Sequence, residues 1–380
     1  MIGFELNEEQ LRYQSTARTF AEKEMKPYAA DLDRRQGTSF DWGIVRRFAK
    51  ANLLGLAVPK EYGGLGIDHF SVAVVTEELG AVCLGISEAA GGTWLTTCCL
   101  TLVGNEDQKR RYLPLVCGEN ATLAGLAATE PEAGSDLAAI RTQANRKGDF
   151  YILNGTKTFI TNAGLAGFYI VFATTDPQKR HGGLNAFIVD GDAAGLTLGA
   201  VEDKMGLRAS QTGELIFHNV QVPVDNLLGV ENTGFFIAMQ TLDMSRPCLG
   251  ASAVGVARSA FDVALTYARE RKQFGRPIIE NQAISFMLAD MATEIEAARL
   301  LTWRACWLVD QGMDSTAASS MCKVFASEIA EKVCSNAIQI LGGQGYTRNW
   351  PLEKYYRDVK ALQIYEGTNQ IQRIVISSML

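Results

Sequence analysis

Apolar residues recur with helical spacing through the first 120 residues. A predicted helix over residues 7–36 opens on Asn7 and Gln10, the spacing of a capping box, and keeps its apolar positions on one face. Asn105 is a good N-cap for a later helix that ends near Gly118. Three further helices are predicted over residues 41–52, 69–82 and 87–103. The pattern therefore predicts a helical domain over residues 1–120.

The apolar period then changes from 3.6 to 2. The alternating runs that follow are predicted as strands over residues 150–153, 158–161, 169–173, 186–189, 196–198 and 215–222. Asn154-Gly155, between the first two runs, is a strong hairpin signal. Hairpin-length spacing without intervening helices predicts an antiparallel barrel or sandwich over residues 121–231.

Helical periodicity returns after Pro223 and continues to the end of the chain. Its long segments are predicted over residues 234–273, 280–312, 315–341 and 352–360. Helices of this length favour a four-helix bundle over residues 232–380. The fold class is therefore α+β multidomain: an N-terminal helical domain, a middle β domain and a C-terminal bundle.

Composition narrows the class of partner. The 380 residues are 47% hydrophobic and 21% charged, and the formal net charge is −6. This is typical of a globular protein and argues against electrostatic binding to nucleic acid or anionic lipid. The first residues carry acids rather than the positive region of a signal peptide, and no apolar run reaches transmembrane length, so we expect a cytoplasmic protein without membrane insertion.

Metal and nucleophile chemistry have few residues to draw on. The eight cysteines include no Cys-x-x-Cys pair, and the three histidines are far apart in sequence, so we expect no metal site. Neither Gly63-Gly64-Leu65-Gly66 nor Gly342-Gly343-Gln344-Gly345 has the spacing of a Rossmann or P-loop motif. Chemistry here requires carboxylate, hydroxyl and backbone groups together with a bound cofactor.

The segment Ile364-Tyr365-Glu366-Gly367-Thr368-Asn369 places a carboxylate before a glycine and a helix-capping threonine. Glu366 would lie on a turn with its N–H and carboxylate free to face a ligand, which suits a general base. The alternative is a surface glutamate at a helix start, where the helix dipole favours an acid.

Several motifs occur together in one order. They are Thr-Glu-Pro-x-Ala-Gly-Ser-Asp at 129–136, Asn154-Gly155 followed by Lys157 and Ile160-Thr161, Glu-Asp-Lys-Met-Gly at 202–206, Arg-Lys-Gln-Phe-Gly at 271–275, and the segment around Glu366. Over nearly its whole length the chain resembles the acyl-CoA dehydrogenase family. The resemblance implies non-covalent FAD, a homotetramer built as a dimer of dimers, and an electron-transferring flavoprotein as partner.

The resemblance also assigns site residues. It implies FAD contacts at Leu126, Ala128, Thr129, Ser135, Phe159, Thr161, Arg271, Gln273, Phe274, Gln339, Gly343, Thr368 and Gln370. Arg271, Gln273, Phe274, Gln339 and Gly343 would hold the adenosine half of FAD bound to a neighbouring subunit. Substrate contacts are implied at Ser135, Asp243, Arg246, Tyr365 and Gly367. Glu366 would remove the α-proton of an acyl-CoA thioester while the flavin accepts the β-hydride.

Two departures bear on the reaction and the substrate. Some relatives carry the base immediately before the arginine at position 246, but this chain has Ser245 there. Glutaryl-CoA dehydrogenases bind the distal carboxylate with an arginine on the helix near residue 87, and none occurs between Ile86 and Val103. Small residues at 89–92 followed by Trp94 favour a short, branched or cyclic acyl group. Glu88 is either a second proton acceptor or a solvated or salt-bridged acid.

Other functions use the same scaffold. An acyl-CoA oxidase would pass electrons to O2, and an enoyl-CoA reductase would use the same residues to catalyse the reverse reaction. A non-catalytic flavin-binding helical protein is the alternative from another class, and Glu366 argues against it.

Overall fold

The computed structural model describes residues 5–35 and 41–380. The N-terminal helices are α1 (Glu8–Phe20), α2 (Lys26–Arg34), α3 (Trp42–Lys50), α4 (His69–Val82), α5 (Leu84–Val103) and α6 (Glu106–Tyr112). The predicted capping box forms at Asn7 with Gln10, and the predicted N-cap Asn105 also forms a capping box, with Gln108. The helix predicted over 7–36 is divided by a π-helical turn, Ala21–Met25, next to Pro27, and its last residue lies outside the described part.

Eight strands form the sheet of the middle region. They are β1 (Leu123–Ala127), β2 (Gln143–Lys147), β3 (Phe150–Thr161), β4 (Ala166–Thr174), β5 (Leu184–Asp190), β6 (Leu196–Val201), β7 (Thr212–Pro223) and β8 (Leu227–Leu228). The order is β6-β7-β3-β2-β4-β5-β8, and β1 pairs with β4. The prediction of antiparallel pairing is wrong for two pairs, since β1 and β2 both run parallel to β4. Two parallel strands need a crossover connection between them. Here the intervening strands β2 and β3, which precede β4 in sequence, provide that connection.

The predicted hairpin at Asn154-Gly155 is also wrong. Both residues lie inside β3, where the pairing register with β7 shifts between Leu153 and Gly155. A Cβ on Gly155 would come within 2.4 Å of the Thr142 hydroxyl oxygen. Gly155 therefore lies at a β-bulge where two segments of the chain pack too closely for a side chain, and it does not form a turn.

The C-terminal region contains the four predicted helices and one more. They are α7 (Gly234–Glu270), α8 (Gln282–Asp310), α9 (Thr316–Leu341), α10 (Leu352–Leu362) and α11 (Asn369–Ser378), with the short strands β9 (Lys272–Gln273) and β10 (Arg276–Pro277) between α7 and α8. Small residues on α7 allow close packing, and a Cβ on Gly255 would lie 2.1 Å from the Glu77 carbonyl oxygen of α4. By length and composition α7 could cross a membrane, but 61% of its most apolar stretch is buried inside the protein.

Buried charges join the N-terminal helices to the bundle. Glu77 and Glu78 of α4 are 5% and 2% exposed. Glu78 pairs with Arg18 of α1 and Arg258 of α7, and Glu77 pairs with Arg299 of α8. Because an unpaired charge here would be costly, the network fixes α4 against α7 and α8. This junction positions one wall of the site described next.

Candidate active site

The turn between α10 and α11 holds Glu366 in a left-handed conformation. Its φ is +54°, and that of Gly367 is +86°. A Cβ on Gly367 would lie 2.5 Å from Gln372 Nε2, so the position requires glycine. Thr368 ends the turn as the N-cap of α11, where its hydroxyl accepts a hydrogen bond from the Ile371 N–H at 3.3 Å. The capped turn predicted from sequence is therefore present.

Two buried polar groups hold the carbonyl oxygens of this turn. Lys323 of α9 is fully buried, and its Nζ donates to the Gly367 carbonyl at 3.0 Å and to Asn369 Oδ1 at 2.7 Å. Gln372 Nε2 donates to the carbonyls of Glu366 and Gly367, both at 3.2 Å. A non-glycine residue at positive φ costs about 1–3 kcal/mol, and these bonds oppose that cost.

A second set of contacts comes from α7. Ser245 Oγ donates to Glu366 Oε2 at 2.7 Å, and Arg246 Nε donates to the Glu366 carbonyl at 3.2 Å. Arg246 is 4% exposed and pairs with Asp243, whose other oxygen accepts from the Thr316 hydroxyl. Asp243 and Arg246, assigned from sequence to substrate contact, thus also brace the turn.

The environment sets the proton affinity of Glu366. Burial raises the pKa of its carboxyl, while the Ser245 hydrogen bond and the charges of Arg246 and Lys323 lower it. Burial also lowers the pKa of Lys323 to about 8, so this lysine remains mainly charged at neutral pH. The net effect is that the pKa of Glu366 lies above that of a solvated glutamate.

Glu366 borders a cavity of about 610 Å³ that opens to solvent. The side chains of α5 that line it follow one helical face, at Ser87, Glu88, Gly91, Trp94, Leu95 and Cys98. Of the small residues predicted to form this wall, only Gly91 does so, because Ala89, Ala90 and Gly92 are turned into the protein. The remaining lining comes from α4, α7 and Ala57.

A second candidate surface lies on the middle sheet. Its segments, at the end of β1 and along β3, are joined by the Thr158 N–H, which donates to the Thr129 carbonyl at 2.9 Å. Lys157, fully buried, donates to the Ala128 carbonyl and pairs with Glu130. The sequence-assigned residues Leu126, Ala128, Thr129, Phe159 and Thr161 are brought together on this surface, where Phe159 is 62% exposed with a φ of +55°.

Three family models match the chain in succession. They describe the N-terminal domain, the middle domain and the C-terminal domain of acyl-CoA dehydrogenases, over residues 7–120, 125–220 and 232–380. The chain belongs to the acyl-CoA dehydrogenase family. A short-chain-specific acyl-CoA dehydrogenase of Clostridium acetobutylicum is 42% identical over 385 residues, covering 100% of both chains.

Solved structures agree with this membership. Butyryl-CoA dehydrogenase from Megasphaera elsdenii is 38% identical, with a TM-score of 0.96 over 100% of this chain and 99% of that one. A chain solved in work on the electron transferring flavoprotein of Acidaminococcus fermentans is 43% identical, with the same TM-score and coverage. The three-part fold expected from the sequence is thereby confirmed, with a mixed rather than purely antiparallel sheet.

This acyl-CoA dehydrogenase is an oxidoreductase whose cofactor is FAD. The related chain PigA, 29% identical with a TM-score of 0.94, has been solved with FAD and proline. The middle surface fits a flavin: Phe159 offers an exposed ring, and the hydroxyls of Thr129 and Thr161 have no partner among the described residues. Within the same described ranges, no group of three or more His, Cys, Asp or Glu could hold a metal ion.

The remaining residues assigned to FAD contact lie away from the surface of the middle sheet. Ser135 and Gln370 are exposed, and so are Arg271, Gln273 and Phe274 around the β9–β10 turn and Gln339 and Gly343 at the end of α9. Phe274, at the tip of its turn, is 97% exposed with a φ of +53°. A large aromatic ring on an exposed turn is typical of a contact surface.

Residue 245, where the family resemblance implied an alternative position for the base, lies beside the Glu366 turn. Ser245 occupies the alternative position, and its hydroxyl touches the Glu366 carboxylate. The side chains of residues 245 and 366 therefore lie next to each other at the same part of the cavity wall. Sequence reasoning missed Lys323, whose only signal was a lone lysine among small and apolar residues of a predicted helix.

We expect Lys323→Met to destabilise the protein by about 1.5–3 kcal/mol, because it removes charge-assisted hydrogen bonds from buried acceptors. Urea denaturation monitored by circular dichroism measures the change. Lys332→Met is the matched control on α9, since Lys332 is 54% exposed and, among the described residues, pairs with the half-buried Glu294. Equal stability of the two variants would show that Lys323 does not brace the turn.

Proposed function

We propose that this enzyme oxidises an acyl-CoA thioester to the α,β-enoyl-CoA, with Glu366 removing the α-proton. The observation that carries the proposal is the Glu366 carboxylate at the cavity wall, held by Ser245 at 2.7 Å on a clamped turn. Burial raises the pKa of Glu366, which strengthens the carboxylate as a base. FAD supplies the acceptor for the β-hydride.

The backbone of the same residue suits the thioester carbonyl. The Glu366 N–H donates no hydrogen bond to any described residue, and the left-handed φ sets its direction apart from a helical N–H. An N–H aimed at the thioester oxygen would stabilise the enolate charge that develops as the proton leaves. Tyr365 and Gly367, on either side, would then border the bound thioester.

For the cofactor, we propose that Leu126, Ala128, Thr129, Phe159 and Thr161 hold the flavin, with Ser135, Thr368 and Gln370 at its edges. Arg271, Gln273, Phe274, Gln339 and Gly343 would hold the adenosine half of FAD bound to a neighbouring subunit of a tetramer. Their exposure in the single chain supports this sharing. The buried Lys157–Glu130 pair would keep the two flavin-bearing segments together.

The substrate we propose is a short, branched or cyclic acyl-CoA. Trp94 lines the cavity with its indole N–H bonded to the Leu53 carbonyl at 2.9 Å, which fixes the ring in place. None of the lining side chains in the described part is Lys or Arg, which disfavours a dicarboxylic acyl group. Relatives named for short-chain and butyryl substrates support the choice.

We further propose that electrons pass to an electron-transferring flavoprotein in the cytoplasm. The 43% identical chain studied with the flavoprotein of Acidaminococcus fermentans supports this partner.

Glu366→Gln should retain FAD but lose about 10²–10⁴-fold or more in the rate of flavin bleaching by substrate, since the amide keeps the shape without the base. Stopped-flow absorbance under anaerobic conditions measures the rate. Glu61→Gln, an exposed acid elsewhere, is the control. Bleaching by the Glu366 variant at the wild-type rate would refute the assignment.

Arg271→Ala should weaken FAD retention and subunit association together, because a ligand shared between subunits stabilises only the assembled state. Analytical ultracentrifugation and flavin fluorescence report the two properties. Arg269→Ala, two residues earlier and also exposed, should change neither. A tetramer of Arg271→Ala with unchanged FAD affinity would contradict the shared site.

Substrate choice is tested with butyryl-, isobutyryl-, cyclohexanecarboxyl- and octanoyl-CoA. We expect kcat/KM to be lowest for octanoyl-CoA, since each misfitting methylene costs about 1–3 kcal/mol in a closed pocket. Reoxidation of the reduced enzyme by air or by electron-transferring flavoprotein distinguishes an oxidase from a dehydrogenase. A preference for octanoyl-CoA would show that Trp94 does not limit the length of the acyl group that the cavity accepts.

A further inference from the structure

Glu88 is a second carboxyl on the wall of the catalytic cavity. It lies on the face of α5 that carries Gly91 and Trp94 into the lining, and both it and Glu366 border the same space. A Cβ on Gly91 would lie 3.6 Å from Glu88 Oε2, so the absence of a side chain at position 91 leaves room around the carboxyl. Glu88 therefore can reach a bound acyl group.

The charged group that acts on the Glu88 carboxyl is the carboxylate of Glu366. No Lys or Arg side chain in the described ranges pairs with Glu88, and none lines the cavity. Burial raises the pKa of Glu88 to about 7, the neighbouring Tyr365 lowers it, and the negative charge of Glu366 raises it. The Tyr365 hydroxyl lies beside this carboxyl, and burial together with the charges of Glu88 and Glu366 raises the pKa of Tyr365.

These facts decide between the two readings of Glu88 left open by the sequence. A salt-bridged glutamate would have a cation, and a solvated one would keep an ordinary pKa. Leaving a half-buried carboxyl without a cation on a mainly apolar cavity wall is costly for the folded protein. Paired titratable groups with separate environments in one cavity are typical of sites that move two protons.

We propose that Glu88 is a second proton-transfer residue, and that the enzyme also takes α,β-unsaturated acyl-CoA thioesters, from whose γ-carbon Glu88 removes a proton. This rests on the proposed function, because the acyl group must bind with its thioester at Glu366. The γ-carbon lies farther along the acyl chain than the α-carbon, and Glu88 is a second carboxyl on the wall of the same cavity.

The step balances without an oxidant. The γ C–H bond breaks and its proton goes to a Glu88 carboxylate oxygen. The electron pair forms a Cβ=Cγ double bond, and the electrons of the former Cα=Cβ bond move onto the thioester as a dienolate. Return of a proton to the γ-carbon restores the substrate. In D2O the returned proton is a deuteron, so the step is visible as γ-deuteration without net reaction.

The experiment follows crotonyl-CoA in D2O by proton NMR and mass spectrometry, with FAD-loaded enzyme under anaerobic conditions. The γ-methyl exchange rate is compared with α-exchange of butyryl-CoA measured in parallel. In Glu88→Gln the ratio of γ- to α-exchange should fall by about 10²-fold. Glu119→Gln, an exposed acid, is the matched control and should keep the native ratio. Flavin content and circular dichroism verify folding, and Glu88→Asp, with its shorter reach, replaces the amide variant if that does not fold.

The outcomes separate this proposal from the proposed function. Loss of α-exchange in Glu366→Gln tests the base of the main reaction and is independent of Glu88. Absence of γ-exchange in the native enzyme, or an unchanged ratio in Glu88→Gln, overturns the role of Glu88. Loss of γ-exchange in Glu366→Gln with retention in Glu88→Gln would show that one base serves both carbons.

Discussion

The site depends on a strained turn held by buried charge. Glu366 adopts a positive φ that a side chain disfavours, and the cost is offset by hydrogen bonds to the carbonyls of residues 366 and 367. Three different elements supply these donors: α7 through Arg246, α9 through Lys323 and α11 through Gln372. The geometry of the proposed site therefore forms only when the bundle is assembled.

The same cations tune the chemistry of the turn. Burial raises the pKa of Glu366, and the positive charges of Arg246 and Lys323 oppose that rise. Glu88 has no cationic partner within residues 5–35 and 41–380, and its pKa is raised to about 7. Two carboxyls bordering one cavity thus differ because one faces buried cations and the other does not.

The middle sheet shows how close packing can override a local signal. Asn154-Gly155 has the composition of a hairpin turn, yet the glycine lies within a twelve-residue strand. The decisive contact is with Thr142, 13 residues earlier, whose hydroxyl would be 2.4 Å from a Cβ at position 155. The hairpin prediction considers only residues 154 and 155 and their neighbours, so it cannot include a contact with a residue 13 positions away.

Sequence analysis alone predicted the order of the three domains, the capping box at Asn7, the N-cap at Asn105, the capped turn at Glu366 and the family, because these depend on periodicity, short-range hydrogen bonds and motifs along the chain. Only the tertiary structure decided that β1 and β2 run parallel to β4, that Ala89, Ala90 and Gly92 turn away from the cavity, and that Lys323 supports the turn. Residue 323 lies 44 positions before Gly367, and burial of its charge is set by the packing of α9 against the segment after α10. Contacts between residues so far apart in sequence depend on how the helices and strands pack together, and the local sequence pattern does not specify that packing.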